Sequence, residues 1–179
     1  GSAGTVKVLW LVPAALAIDQ TSKQIVMHSM ILHESIPVLG DFFRLTYIHN
    51  AGAAFGLNLG SPLLHTLVSI VALGALLWLF WTVPRDNRLM RFSLSLILGG
   101  ALGNIVDRIH LHEVVDFFDF GIGSLRWPVF NFADSFVTVG IFLLIYAFSR
   151  HDQAEAEAAD SETSSPEEAS SPEERIAQG

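Results

Sequence analysis

Between Leu63 and Val83 the chain runs 21 residues without a formal charge. Coiled as a helix at about 1.5 Å per residue, such a segment reaches roughly 30 Å, the thickness of a bilayer's hydrocarbon layer. Composition points the same way. Of 179 residues 51% are hydrophobic and only 16% are charged, with a mean hydropathy of +0.46, values unlike those of a soluble domain. The formal charge of -8 is unevenly spread: residues 151–179 hold nine acids and one Arg, whereas 1–150 hold nine acids and nine bases. A neutral, apolar body has no basic excess for a phosphate backbone and too much hydrophobicity for disorder, so nucleic acid is excluded as a partner. The absence of cysteine removes disulfides, thiolate catalysis and cysteine-ligated metals.

Three further apolar stretches are Val8 to Ile18, Phe92 to Val106 and Ser135 to Ser149. The last two run 15 residues each before meeting a charge. That is about 22 Å of helix, so each must carry an Asp into the membrane edge. The first fits a cleavable signal peptide on its own, with Lys7 before it and Ala15-Leu16-Ala17 within it. Apolar residues resume at Ile25, however, so Val6 to Met27 is read as one full-length helix with Asp19 and Lys23 paired at i and i+4. The opening Gly1-Ser2-Ala3-Gly4 reads as a cloning remnant and is left out of the fold. The expectation is a membrane α-helical protein with four transmembrane helices, over about residues 6–27, 63–83, 92–108 and 131–149, forming one four-span membrane domain over 5–150. Gly99 and Gly103 form a small-xxx-small pair for close helix packing in the third span.

The loop Pro84 to Arg91 carries Arg85, Arg88 and Arg91 against one Asp, which places it and both termini in the cytoplasm. Residues 151–179, rich in Ser, Pro, Glu and Ala, read as a disordered acidic cytoplasmic tail. Phe42 to Ile48, after the Gly40-Asp41 turn signal, predicts a small extracytoplasmic β-rich segment between helices one and two.

Counting outward from the cytoplasmic end of each span puts Asp107 and Asp134 about 22 to 24 Å from the inner boundary, with Asp19 slightly deeper. Intramembrane charge costs roughly 2.5 to 3.5 kcal/mol per residue even on gentle scales, so these side chains should face one another. Asp19 with Lys23, and Asp107 with Arg108, read equally well as structural ion pairs. Asp116 and Asp134 have no such neighbour in sequence, and two close carboxylates sharing one proton suit acid/base hydrolysis. On these grounds Asp107, Asp116, Asp119 and Asp134 all remain open. Ser22 and Lys23 point about 100° apart on a helix, against a serine-lysine dyad. His110, His112, Glu113 and Asp116 form the alternative of a metal site in the outer loop. A proton-coupled transporter is the rival class, but its charges would form a path across the membrane rather than gather at one face.

Five blocks occur in order on this plan: Asp19-Gln-Thr-Ser-Lys23, Asn50-Ala-Gly-Ala-Ala-Phe-Gly56, Gly99-Gly-Ala-Leu-Gly-Asn-Ile-Val-Asp-Arg108, Val114-Val-Asp-Phe117 and Phe130-Asn-Phe-Ala-Asp134. Over roughly residues 6–149 the chain resembles bacterial lipoprotein signal peptidase, or signal peptidase II. The resemblance implies an aspartyl endopeptidase of the bacterial inner membrane with its active site at the extracytoplasmic face. It would cleave prolipoproteins on the amino side of a diacylglyceryl-modified cysteine, in contact with membrane lipid, as a monomer without metal or other cofactor. It also implies Asp116 and Asp134 as the catalytic pair, with Asp19, Lys23, Asn50, Gly52, Asn104, Asp107, Arg108, Asn131 and Ala133 in motifs around them. Read physically, the three Asn side chains hold a peptide backbone without adding charge. Arg108 pairs with Asp107 or binds peptide carbonyls. Gly52 and Ala133 leave room for a backbone or a lipid chain, or simply pack tightly.

Overall fold

The computed structural model describes residues 8–52 and 61–163. Along the chain come α1 (Leu11–Ser29), β1 (Ser35–Leu39), β2 (Phe43–Asn50), α2 (Pro62–Thr82), α3 (Arg88–Leu111), β3 (Val114–Ile122), β4 (Leu125–Arg126) and α4 (Phe132–Thr163). Local chemistry sets several boundaries. Ser61 caps α2 by accepting from the Leu64 N–H at 3.4 Å, with proline at the first helical position. Asn87 caps α3 through the Met90 N–H at 3.2 Å, and the helix ends at His112 in the left-handed region, φ 63°.

Among the described residues three helices are long and apolar enough to cross a membrane: α2, α3, and α4 from Phe132 to Ala154. The first helix is not among them, because the unbroken polar run Asp19 to Gln24 lowers its mean hydropathy. Its burial pattern is inverted relative to a helix in water: Asp19 and Lys23 are buried with Ala15 and Val26, while Ile18 and Ile25 are exposed. The buried stripe faces α3, which occupies the centre and packs against α1, α2 and α4. Small residues permit that approach. A Cβ on Gly99 would lie 2.7 Å from the Ala15 methyl, and one on Gly103 would collide with the Asp19 carboxylate. At the other end Phe80, Val83, Met90, Leu94, Leu98 and Ala147 form an apolar cluster. Beside it the Arg91 guanidinium lies over the Phe80 ring and donates to the Val83 carbonyl at 3.1 Å, which caps the end of α2.

Two expectations need correction. The sheet is not confined to the connection between α1 and α2: it is four-stranded and antiparallel in the order β1-β2-β3-β4, and the α3–α4 connection supplies half of it. The reason lies in Val114 to Phe120, whose β-branched and aromatic residues pair with β2 and cover an edge that a lone hairpin would leave open. Nor is the segment after Arg150 wholly irregular, since α4 continues to Thr163. Residues 151–163 contain neither Gly nor Pro and are rich in Ala and Glu, strong helix formers that prolong a helix already nucleated by the apolar segment before them. Residues 164–179, Gly1 to Lys7 and the 53–56 part of the second block lie outside the described residues.

Candidate active site

Helix α1 contributes Asp19 and Lys23, one turn apart on its buried face. The Lys23 ammonium lies 2.7 Å from Asp19 Oδ2, 2.8 Å from Asp107 Oδ2 and 3.0 Å from Asn104 Oδ1, so its three donors all have acceptors. Asp107 therefore pairs with Lys23 across the α1–α3 contact, and not with its sequence neighbour Arg108 as one reading anticipated. Successive helical residues point about 100° apart, which separates Asp107 from Arg108 while i, i+3 spacing aligns Asn104 with Asp107. The second oxygen of Asp19 accepts from the Ala133 N–H at 2.9 Å, and this fixes the start of α4.

That start is a capping box. Asn131 Oδ1 accepts from the Asp134 N–H at 2.9 Å, and Asp134 Oδ2 accepts in return from the Asn131 N–H at 3.3 Å. The reciprocal pair satisfies two helix-end amides and delivers the Asp134 carboxylate to the same level as Asn104, whose Nδ2 donates to Asp134 Oδ1 at 2.8 Å. Ala133, next to Asp134, is fully buried, with only a methyl group to fit against α3.

Strand β3 brings the other carboxylate. Register sets Asp116 opposite Ile48 and Val114 opposite Asn50, so by strand alternation Asn50 and Asp116 share a face. Asn50 Nδ2 donates to Asp116 Oδ2 at 3.0 Å, and Asn131 Nδ2 donates to Asp116 Oδ1 at 2.7 Å. Asn50 Oδ1 in turn accepts from the Gly52 N–H at 3.0 Å. Asn131 thus touches both Asp116 and Asp134. Burial first, and the nearby charge of Asp134 second, push the Asp116 carboxyl up to about 7, against the opposing pull of the two amide donors and of Lys23.

The remaining carboxylate on β3 has a different environment. Asp119 accepts from Arg126 Nε and from the Thr46 hydroxyl, both at 2.7 Å. Burial pushes its carboxyl up, but these two bonds and the charges of Arg126 and Arg44 outweigh burial and hold it below the ordinary range. Asp19, Asp107 and Asp119 each have a cationic partner, whereas Asp116 and Asp134 have no salt bridge among the described residues. The Arg108 side chain makes no hydrogen bond or salt bridge among the described residues either, but it lies near enough to Asp134, Asp116 and Asp107 for their charges to act on it.

Ten of the eleven site residues expected from the sequence are thus joined by hydrogen bonds or direct packing, and Arg108 faces the group through its charge. His110 and His112 are exposed and contribute to no cluster: among the described residues no group of three metal-ligating side chains occurs. Sequence reasoning missed Gln20, whose amide donates to Asp107 Oδ1 at 2.9 Å and to the Gly103 carbonyl at 3.1 Å. Its place inside the Asp19 to Lys23 block was the available signal. It also missed His65, buried against Gly52 within the charge-free run, where nothing local distinguishes it.

Comparison with known proteins adds an independent line. Residues 11–150 match the family described as Signal peptidase (SPase) II. A lipoprotein signal peptidase of Desulforapulum autotrophicum is 44% identical over 137 residues, covering 73% of this chain and 84% of the relative. Another from Syntrophus aciditrophicus is 42% identical over 145 residues, covering 77% and 90%. A solved bacterial membrane enzyme superposes with a TM-score of 0.73 at 34% identity, over 80% of this chain and 88% of its own.

Proposed function

Because this chain belongs to the signal peptidase II family, we propose that Asp116 and Asp134 are its catalytic pair and that it removes signal peptides from prolipoproteins. The chain is an aspartic peptidase of a bacterial membrane family. One observation carries the assignment of the pair: of Asp19, Asp107, Asp116, Asp119 and Asp134, these two have no salt bridge among the described residues, and Asn131 bonds both carboxylates, Asp116 through its side-chain amide and Asp134 through its backbone N–H. Unpaired carboxylates in a buried site share a proton instead of each holding a charge.

The proton resides on Asp116, which is 1% exposed, close to the charge of Asp134 and hydrogen-bonded by two neutral amides. Asp134, whose oxygens accept from two N–H donors, takes the role of the base. Asp134 takes a proton from water as the oxygen attacks the scissile carbonyl, and Asp116 donates its proton to that carbonyl oxygen. Collapse of the tetrahedral intermediate breaks the C–N bond as one of its hydroxyls returns a proton to Asp116, and the amine leaves with the proton Asp134 had accepted. The bond cut is on the amino side of a diacylglyceryl-modified cysteine, so the lipid chains stay in the bilayer while the peptide reaches water. Lys23 and Asn104 act one layer further back, holding Asp19, Asp107 and Asp134 in register.

In this reading α1 is a fourth span, stable in lipid because its polar stripe is covered by α3 while its apolar face is outward. Both termini and the arginines at 85, 88 and 91 are cytoplasmic, the sheet and the dyad extracytoplasmic, and the membrane domain ends near residue 150 with an acidic cytoplasmic segment beyond it.

The test is cleavage of a diacylglyceryl-cysteine peptide by purified Asp116→Asn and Asp134→Asn. Each amide keeps the shape of the side chain and removes the titrating proton, so both variants should be folded and inactive. Appreciable turnover by either one rejects the dyad.

A further inference from the structure

His65 lies on the first turn of α2, is 9% exposed, and has no hydrogen-bond partner among the described residues on either ring nitrogen. Its ring packs against the backbone of Gly52. An ideal Cβ built on Gly52 would lie 2.7 Å from both Cγ and Cδ2 and 2.9 Å from Nδ1. Three ring atoms at nearly one distance mean that the flat face, and not an edge, meets the turn. Gly52 also has φ +104°, a conformation that L side chains rarely adopt, so this contact requires glycine twice over. Because no hydrogen bond orients the imidazole, shape alone holds it.

The turn under that ring leads directly to the dyad. The Gly52 N–H donates to Asn50 Oδ1, which sets the amide plane, and the other end of the same amide donates to Asp116 Oδ2. We infer that His65 is a positioning residue for the proposed hydrolysis, its flat ring buttressing the Gly52 turn so that Asn50 stays aimed at Asp116. The inference rests on the dyad reading above. It assigns His65 no contact with the substrate.

Variants of the full chain, assayed with a diacylglyceryl-cysteine peptide across pH, test it. In His65→Ala the turn loses its support and Asn50 drifts from Asp116. We expect kcat to fall on the order of tenfold to a hundredfold, as small misplacements near reacting groups do, with KM nearly unchanged. The alkaline limb of kcat/KM should move upward, because the Asn50 bond is one of the contacts that lower the Asp116 pKa. His65→Phe, which keeps the flat face, should retain the wild-type limb and most of kcat, and should unfold at a higher temperature because two unmet nitrogens are gone. If the alanine variant does not purify, His65→Leu fills the space without a flat face and should show the same loss and the same shift.

A wild-type kcat and limb in the alanine or leucine variant overturns the inference. So does a folded phenylalanine variant as inactive as alanine, since that assigns the effect to the nitrogens. Asp116→Asn, assayed alongside, separates the two layers: turnover there removes the dyad reading, whereas an inactive Asp116→Asn beside unaffected His65 variants removes this inference alone.

Discussion

Replacing Asp116 by Asn should change stability in a direction that depends on pH. The wild-type carboxyl is raised from 3.8 to about 7 by burial and by Asp134, which corresponds to ~4 kcal/mol. A raised carboxyl pKa means that the folded state holds the proton more tightly than the unfolded state. Well below pH 4 both states are protonated and nothing is lost. Stability then declines as pH rises, and the full loss is reached above about 7. Asn never ionises and avoids that loss. Against this gain, one amide oxygen still accepts from Asn131, but the amide nitrogen faces Asn50 Nδ2 where a carboxylate oxygen stood at 3.0 Å. Two opposed donors in a buried site cost about 1–3 kcal/mol.

The variant should therefore be less stable than wild type by about 1–3 kcal/mol near pH 4 and more stable by a similar amount near pH 9. Thermal unfolding of both purified proteins in one detergent at the two pH values reads this directly, at roughly 2–4 °C per kcal/mol for a chain of this size. A difference in Tm of the same sign and size at both ends would refute a proton-holding Asp116.

Other perturbations probe the surrounding shell. Lys23→Met leaves the buried carboxylates of Asp19 and Asp107 without their cation; a loss of about 3–5 kcal/mol should appear as a large fall in Tm, and an unchanged Tm would show that the triad is not held by charge. Gly103→Ala pushes a methyl into the Asp19 carboxylate, so about 1–3 kcal/mol should be lost by the same measurement. In wild type, kcat/KM should fall as pH rises through about 7, because that limb removes the proton from Asp116; a profile flat from about pH 6 to about pH 9 would place the acid elsewhere.

Much of this arrangement is legible in residue order. Helical rise alone put Asp19, Asp107 and Asp134 at one level, and the short apolar runs forced their Asp residues into the membrane edge. The ranking of carboxylates was not legible. Asp107 and Asp116 look equivalent along the chain, and only the α1–α3 contact gives Asp107 its Lys23 while leaving Asp116 with neutral amides. Asp119 is separated from Asp116 by its bond to Arg126, which depends on the β3–β4 hairpin. The hairpin itself was read as loop, since Val114 to Phe120 makes sense as a strand only once β2 is there to pair with it. Burial of His65 escaped for a related reason: its partner, Gly52, lies in another connection, and no periodicity links the two.

The inverted polarity of α1 has a consequence for how the protein is made. A segment that carries Asp19, Gln20 and Lys23 through its middle is a poor tenant of a bilayer until α3 arrives to satisfy those groups. During synthesis α1 and α2 emerge before it, so the first helix must wait at the interface or inside the insertion machinery for a partner more than sixty residues downstream. Its final residence in the membrane and assembly of the reaction centre are then a single event, and a chain interrupted before α3 should leave its leading helix outside the lipid.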